Sequence, residues 1–256
     1  MDEIRPLLAA GDPEPVELIA PESAAPILLV CEHAGQAVPQ RLEDLGLPAA
    51  EMERHIAWDI GAAALTRRLQ ELLAAPAVLQ RYSRLVIDCN RPPGVPTSIP
   101  TISDGTTVPG NQHLTEAARE VRVEEIFLPF ERAVAGRLEA APRRLLADIH
   151  SFTPVMQNVR RPWEVGLLFN RDDRAAKALM RLLEARRPGL VAAFNEPYAV
   201  SDTSDYTIPV HGERRGQPAV LIEVRNDLID RPEGVEAWAA LLAGCLAALV
   251  EEHAAP

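Results

Sequence analysis

The sequence predicts an α/β fold in one domain, with a mostly parallel or mixed central sheet and helices on both faces. Three observations predict it. Short apolar runs rich in strand formers alternate with longer segments of helical spacing. The 256 residues are enough to bury one large core. Apolar residues are 47% and charged residues 25% of the chain, the balance of a folded globular protein rather than a disordered one.

Residues 1–25 hold several prolines and acids and read as an irregular leader. Pro26 to Cys31 is an apolar run suited to a strand buried on both faces. From Ala57 to Ala75, apolar Ile60, Ala64, Leu65, Leu69, Leu72 and Leu73 recur at helical spacing. Arg84 to Asp88 reads as a second buried strand. Residues 91–112 carry five prolines and three glycines and form a long irregular loop of the kind that is usually functional or disordered. Thr115 caps a helix reaching Ala140, with Pro129 as a kink. Leu145–His150 and Val165–Phe169 are further strands, Asp172–Arg186 a helix, Ala219–Val224 another buried strand, and Val235–Glu251 the closing helix.

The formal net charge of −11 excludes a generic binder of nucleic acid or anionic membrane, because both need a basic surface. The longest apolar run, Ala237 to Val250, has 14 residues, short of the roughly 18 that a membrane span needs. The opening Met1-Asp2-Glu3 lacks the basic and apolar regions of a signal peptide. Three scattered cysteines, Cys31, Cys89 and Cys245, make no disulfide framework. A reduced, cytoplasmic protein is the expectation.

Four of the apolar runs end in polar residues: Cys31-Glu32-His33, Asp88-Cys89-Asn90-Arg91, Asp148-Ile149-His150-Ser151 and Glu223-Val224-Arg225-Asn226. In open α/β sheets, ligands sit at the carboxyl ends of strands, so four such endings on one edge would build one site. His33 and His150 supply the nitrogen ligands that Zn²⁺ prefers. Asp148 shares a face with His150 and either fixes its tautomer or bonds a loop. Glu223 is either a general base or the partner of Arg225. Arg91, at the mouth of the long loop, is either an anchor for a substrate carboxylate or a surface arginine. Asp59 reads on spacing as a helix cap or first-turn acid. Cys31 is a soft ligand or, more in keeping with its run, an inert buried thiol. His55 is unassigned, His211 lies in a Gly/Pro/Arg loop, and His253 falls in the tail. No G-x-S-x-G, P-loop, G-x-G-x-x-G or H-E-x-x-H is present, so serine hydrolases, NTPases and dinucleotide enzymes lose their usual signal.

Cys31-Glu32-His33-Ala34-Gly35, His55-Ile56-Ala57-Trp58-Asp59-Ile60-Gly61, Ser83-Arg84-Leu85-Val86-Ile87-Asp88-Cys89-Asn90-Arg91, Pro109-Gly110-Asn111, Asp148-Ile149-His150-Ser151-Phe152 and Ile222-Glu223-Val224-Arg225-Asn226-Asp227 occur in the order found in the N-formylglutamate amidohydrolase family. Each motif is weak alone, but together the chain resembles that family over residues 27–250. The resemblance implies a zinc exopeptidase-like α/β fold. It implies one catalytic zinc held by His33, His150 and an acid, a role that falls on Asp59 with His55 as the fallback. Glu223 would be the general base toward a zinc-activated water. Arg91, Arg84 and Arg225, beside Asn90, would bind substrate carboxylates, and His211 would complete the site from its loop. The implied substrate is a small N-acyl amino acid, foremost N-formyl-L-glutamate. Rival readings are a related deacylase, peptidase or cell-wall amidase, or a binding module without catalysis. The oligomeric state stays open.

Overall fold

A computed structural model describes residues 6–252. In chain order, β1 (Val16–Ile19) and β2 (Ile27–Cys31) lead to α1 (Ala49–Met52), α2 (Ala62–Leu73) and β3 (Ala77–Gln80). A small hairpin of β4 (Ile102–Ser103) and β5 (Thr106–Thr107) precedes α3 (Glu116–Arg122) and α4 (Leu128–Ala140). Then come β6 (Leu145–Phe152), a second hairpin of β7 (Val155–Met156) and β8 (Val159–Arg160), β9 (Val165–Leu168) and α5 (Arg174–Arg186). β10 (Ala192–Phe194), β11 (Ala219–Arg225) and α6 (Pro232–Glu252) complete the described chain.

Seven strands form one mixed sheet in the order β1-β3-β2-β6-β11-β9-β10. β3, β2, β6 and β11 run parallel, so their carboxyl ends share one edge. β1 is antiparallel to β3, and β9 is antiparallel to β11. The sheet is covered on both faces, and the alternation of side chains along each strand divides them between two cores. Ile27, Leu29 and Cys31 of β2 join Leu65, Leu69, Leu179 and Leu246 of α2, α5 and α6. Leu28 and Val30 face the other way, toward Phe127, Phe130 and Val134 of the α3–α4 segment. α6 has the length and hydropathy to cross a membrane, yet Trp238, Leu242, Leu246 and Leu249 are buried in the first core.

The α/β class is as predicted, while several elements differ. Arg84–Asp88 is a buried turn, and the strand is Ala77–Gln80 instead. The turn closes through Val86 N to Ser83 O at 2.9 Å and Leu85 N to Ser83 Oγ at 3.2 Å. Its outward carbonyls are taken by side chains: Asn111 Nδ2 donates to Leu85 O at 2.8 Å, and buried Arg122 donates to Val86 O at 2.9 Å. Side chains thus satisfy buried backbone groups that a sheet ladder would otherwise have to pair.

The leader contains β1, so it is not wholly irregular. The helix after the first site loop begins at Ala62, where Gly61 at φ 83° reverses the chain. The long helix after Thr115 passes through a π turn over Val123–Phe127, and Pro129, which has no N–H to continue the ladder, follows directly on that turn. Thr115 does cap α3, accepting from Ala118 N at 3.2 Å. β10 was not anticipated. His253 lies outside the described residues.

Candidate active site

Three parallel strands deliver the chemistry to one edge of the sheet. The chain leaves β2 at Cys31 and turns, placing Glu32 and His33 at the edge. His150 lies inside β6, directly paired with Glu223 of β11. Asp59 is brought up by the segment before α2, which is tied to the first loop by Asp59 N donating to His33 O at 2.9 Å. Its carboxylate does not cap α2. Oδ2 instead accepts from Ser151 N at 3.1 Å and lies 3.0 Å from His150 Nδ1.

His33 Nδ1 and His150 Nδ1 are 3.1 Å apart, and Asp59 Oδ2 is 3.5 Å from the first and 3.0 Å from the second. These three buried atoms could hold one metal ion. A tetrahedral ion bonded at about 2.1 Å sets its ligands roughly 3.4 Å apart, which matches the spacing found.

The far nitrogens fix the tautomers. His33 Nε2–H donates to Asp88 Oδ1 at 2.7 Å, which leaves its Nδ1 lone pair turned toward His150 and Asp59. His150 Nε2–H faces Asp148 Oδ1 at 3.0 Å and Glu32 Oε2 at 3.2 Å. A carboxylate behind each imidazole is the arrangement that orients metal-binding histidines and raises their basicity. Of the two acids, Asp148 is the nearer to His150 Nε2.

Burial would raise the Asp59 carboxyl, but His33 and His150 hold it well below the usual range. Burial would likewise raise Asp88, but Arg84, His33 and Arg91 hold it down. Burial and the charge of Glu32 push the Asp148 carboxyl well up. Burial opposes charging of His150, yet Asp148, Asp59 and Glu32 raise it well above the imidazole range. The donor set therefore favours positive charge at its centre.

A cavity of about 320 Å³ opens over these atoms, lined among others by His33, Asp59, His150, Arg84, Arg91 and Glu223. Its size suits a small molecule. Glu223 Oε2 is buried without a partner. Burial, with the nearby charge of Asp59, pushes this carboxyl up to about 7.

The remaining expected residues divide. Arg84 lines the cavity and donates to Asp88 Oδ2 from Nη2 at 2.7 Å and to Asp59 Oδ1 from Nη1 at 3.3 Å. Arg91 lines it and donates to Asp205 Oδ1 at 3.1 Å. Asn90 lines it while Oδ1 accepts from Tyr206 N and Thr207 N, both at 3.0 Å.

Arg225 is not on the cavity wall. It ends its strand and swings to Asp227 Oδ1 at 2.7 Å and Pro162 O at 3.2 Å, so it neither faces a substrate nor pairs with Glu223. His211 is not on the wall either. Its loop is a buried π turn over Thr207–Gly212, and its Nε2 lies 2.6 Å from Glu131 Oε2 of α4. His55 lines the cavity but stands outside the three-atom cluster, 3.3 Å from Asp104. Cys31 is an inert core thiol whose burial pushes its pKa far up.

Glu32 and the pairing of Asp88 with His33 escaped the sequence reading, although both acids belong to the motifs quoted above. Thr207 Oγ1 also donates to Glu32, from a loop that carries no recognisable motif.

An α/β sheet whose parallel carboxyl ends assemble two imidazoles, an acid and a raised buried glutamate defines a class of cleft suited to hydrolysis. The sequence model of the N-formylglutamate amidohydrolase family matches residues 25–230. The chain belongs to that family, whose name denotes enzymes that hydrolyse amides. The gene product Atu2144 of Agrobacterium tumefaciens has a similar crystal structure, with 36% identity, a TM-score of 0.91, and coverage of 96% of this chain and 98% of that one. The N-formylglutamate amidohydrolase of Ralstonia eutropha JMP134 shares the fold at 21% identity and a TM-score of 0.65, over 94% of this chain and 98% of its own. No curated protein is similar enough to the chain to match it.

Proposed function

We propose that the protein is a metal-dependent N-acyl amino acid amidohydrolase whose substrate is N-formyl-L-glutamate, releasing formate and L-glutamate. The convergence of His33 Nδ1, His150 Nδ1 and Asp59 Oδ2 within 3.5 Å, beside the unpartnered carboxyl of Glu223, carries the reading. His33, Asp59 and His150 would hold the ion, and two nitrogens with one oxygen suit zinc. When bound, such an ion acidifies water and polarises a carbonyl as a Lewis acid.

Glu223 takes the proton of the attacking water as its oxygen bonds the formyl carbon, and returns that proton to the amine nitrogen as the carbon–nitrogen bond breaks. Asp88 and the Glu32–Asp148 pair face the two Nε2 atoms, so the Nδ1 atoms are the ones turned to the ion, which would displace the second proton of His150. Arg91 and Arg84 set positive charge on the wall, where a substrate carboxylate would lie. Purified protein is expected to carry one divalent metal per chain and to release formate from N-formyl-L-glutamate. Chelation should abolish the release and Zn²⁺ restore it. A metal-loaded protein that releases no formate from any N-formyl amino acid would sink the reading.

The base also sets a pH dependence. Glu223 accepts a proton only as the carboxylate, so kcat/KM falls as pH drops through its pKa. That pKa is about 7 in the metal-free protein, and a bound cation favours the carboxylate and draws it lower. A profile from pH 4 to 9 should therefore show an acid limb at or below pH 7. A rate that stays flat down to pH 4 contradicts the assignment of Glu223.

A further inference from the structure

The arginines around the cleft are not equivalent. Arg84 is engaged by Asp88 and Asp59, and Arg91 by Asp205. Arg161 has no carboxylate within ion-pair distance among the described residues. Its Nη2 donates to the sulfur of Met156 at 2.9 Å, and its guanidinium carbon lies 4.8 Å from the centroid of the Tyr198 ring. Its Nη1 is buried with no hydrogen-bond partner. A thioether is a weak acceptor, and a buried guanidinium N–H without a partner is costly.

Met156 and Tyr198 both line the active-site cavity, so Arg161 stands one side chain behind the wall. The Tyr198 phenol is raised by burial and by the charge of Glu223, and lowered by Arg161 and Arg84. One ring thus stands against this arginine and on the cavity wall that Glu223 shares. The hairpin that carries Met156 and leads into Arg161 is short and tightly turned. Gln157 and Asn158 take φ of 48° and 64° at its tip, and Arg161 N donates to Pro154 O at 2.9 Å at its base. The backbone is pinned, while the methionine side chain keeps three rotatable bonds.

We propose that Arg161 is the specificity residue of the cleft and binds the side-chain carboxylate of an acidic N-acyl amino acid. Met156 swings aside to admit that carboxylate, which replaces the sulfur with two parallel charge-assisted hydrogen bonds, and Tyr198 stays stacked on the guanidinium. The inference rests on the amidohydrolase reading above and assigns its substrate preference to one side chain.

The test compares N-formyl-L-glutamate with its neutral isostere N-formyl-L-glutamine in zinc-loaded wild type, Arg161→Met and Arg161→Lys. Arg161→Met should lower the ratio of kcat/KM for the acid over the amide by about 30-fold or more, chiefly through KM. Arg161→Lys should recover part of the ratio, because lysine keeps the charge and lacks the planar fork. An unchanged ratio, or equal losses on both substrates, overturns the proposal. If Arg161→Met does not fold, Arg161→Gln is judged by the same ratio. If wild type turns over neither substrate, it is the amidohydrolase reading that fails. Arg161 is then judged by calorimetric binding of glutarate: binding lost in Arg161→Met upholds the site, and equal or absent binding overturns it.

Discussion

Replacing Glu223 by Gln is expected to lower kcat by roughly 10³-fold, with the metal retained and KM little changed. The amide has the shape of the carboxyl and cannot take a proton from water. Glu223 is not one of the three converging ligands, so metal content should stay at the wild-type level. Stability should move the opposite way. The folded pKa of about 7 lies above the ordinary value of 4.5, so the native state holds a proton that the unfolded chain has released between those two values. Stability attributable to this group therefore falls as pH rises from about 4.5 to 7, by on the order of 3 kcal/mol in the metal-free protein. Metal-free Glu223→Gln should melt above metal-free wild type at pH 8 and level with it near pH 4.5. A variant that keeps more than a tenth of wild-type kcat removes Glu223 from the role of base.

Burial also decides which parts of the molecule were legible in the sequence. β2, β6 and β11 are central strands buried on both faces, so they appear as mostly apolar runs in which a polar residue stands out. His33, His150 and Glu223 were visible for that reason. Asp59 was not, because on spacing it cannot be told from a helix cap; only the order of motifs raised it. Arg84–Ile87 is as apolar as a strand, yet its carbonyls go to Asn111 and Arg122, partners 26 and 36 residues away. Periodicity cannot see such partners. Arg225 follows strand alternation onto the face of Glu223, but the strand ends there and Asp227 captures the guanidinium. His211 sits among Gly, Pro and Arg, which read as a mobile loop. In the fold, Glu131 of α4 holds it in a buried π turn. Glu32 and Asp88 gain their roles only when their histidines arrive, and Asp88 is 55 residues from His33.

His150→Ala is expected to abolish metal binding and to destabilise the protein together. The substitution deletes one of the three converging ligands, so dialysed protein should hold less than about a tenth of an equivalent of zinc. It also strips three buried acids of their shared cation. Asp59, Glu32 and Asp148 all lie within 3.2 Å of a ring nitrogen of His150. Breaking a buried ionic cluster by removing one partner costs about 3–5 kcal/mol, which for a domain of this size lowers the melting midpoint by on the order of 10 °C.

The pH dependence separates this electrostatic loss from a simple cavity. In metal-free wild type, His150 has a raised pKa, so its contribution is fully present below the unfolded imidazole value and fades only as pH rises through the raised one. In the variant, the acids lose a cation that holds all three down, so their folded pKa values move up from those of wild type. Their cost is present at pH 7 and fades as pH falls and they take up protons. The gap in midpoint between metal-free wild type and His150→Ala should thus be wide at pH 7 and narrower at pH 5. A cavity alone would leave the gap independent of pH. A variant that still binds one zinc as tightly as wild type would show that His33, Asp59 and His150 do not share an ion.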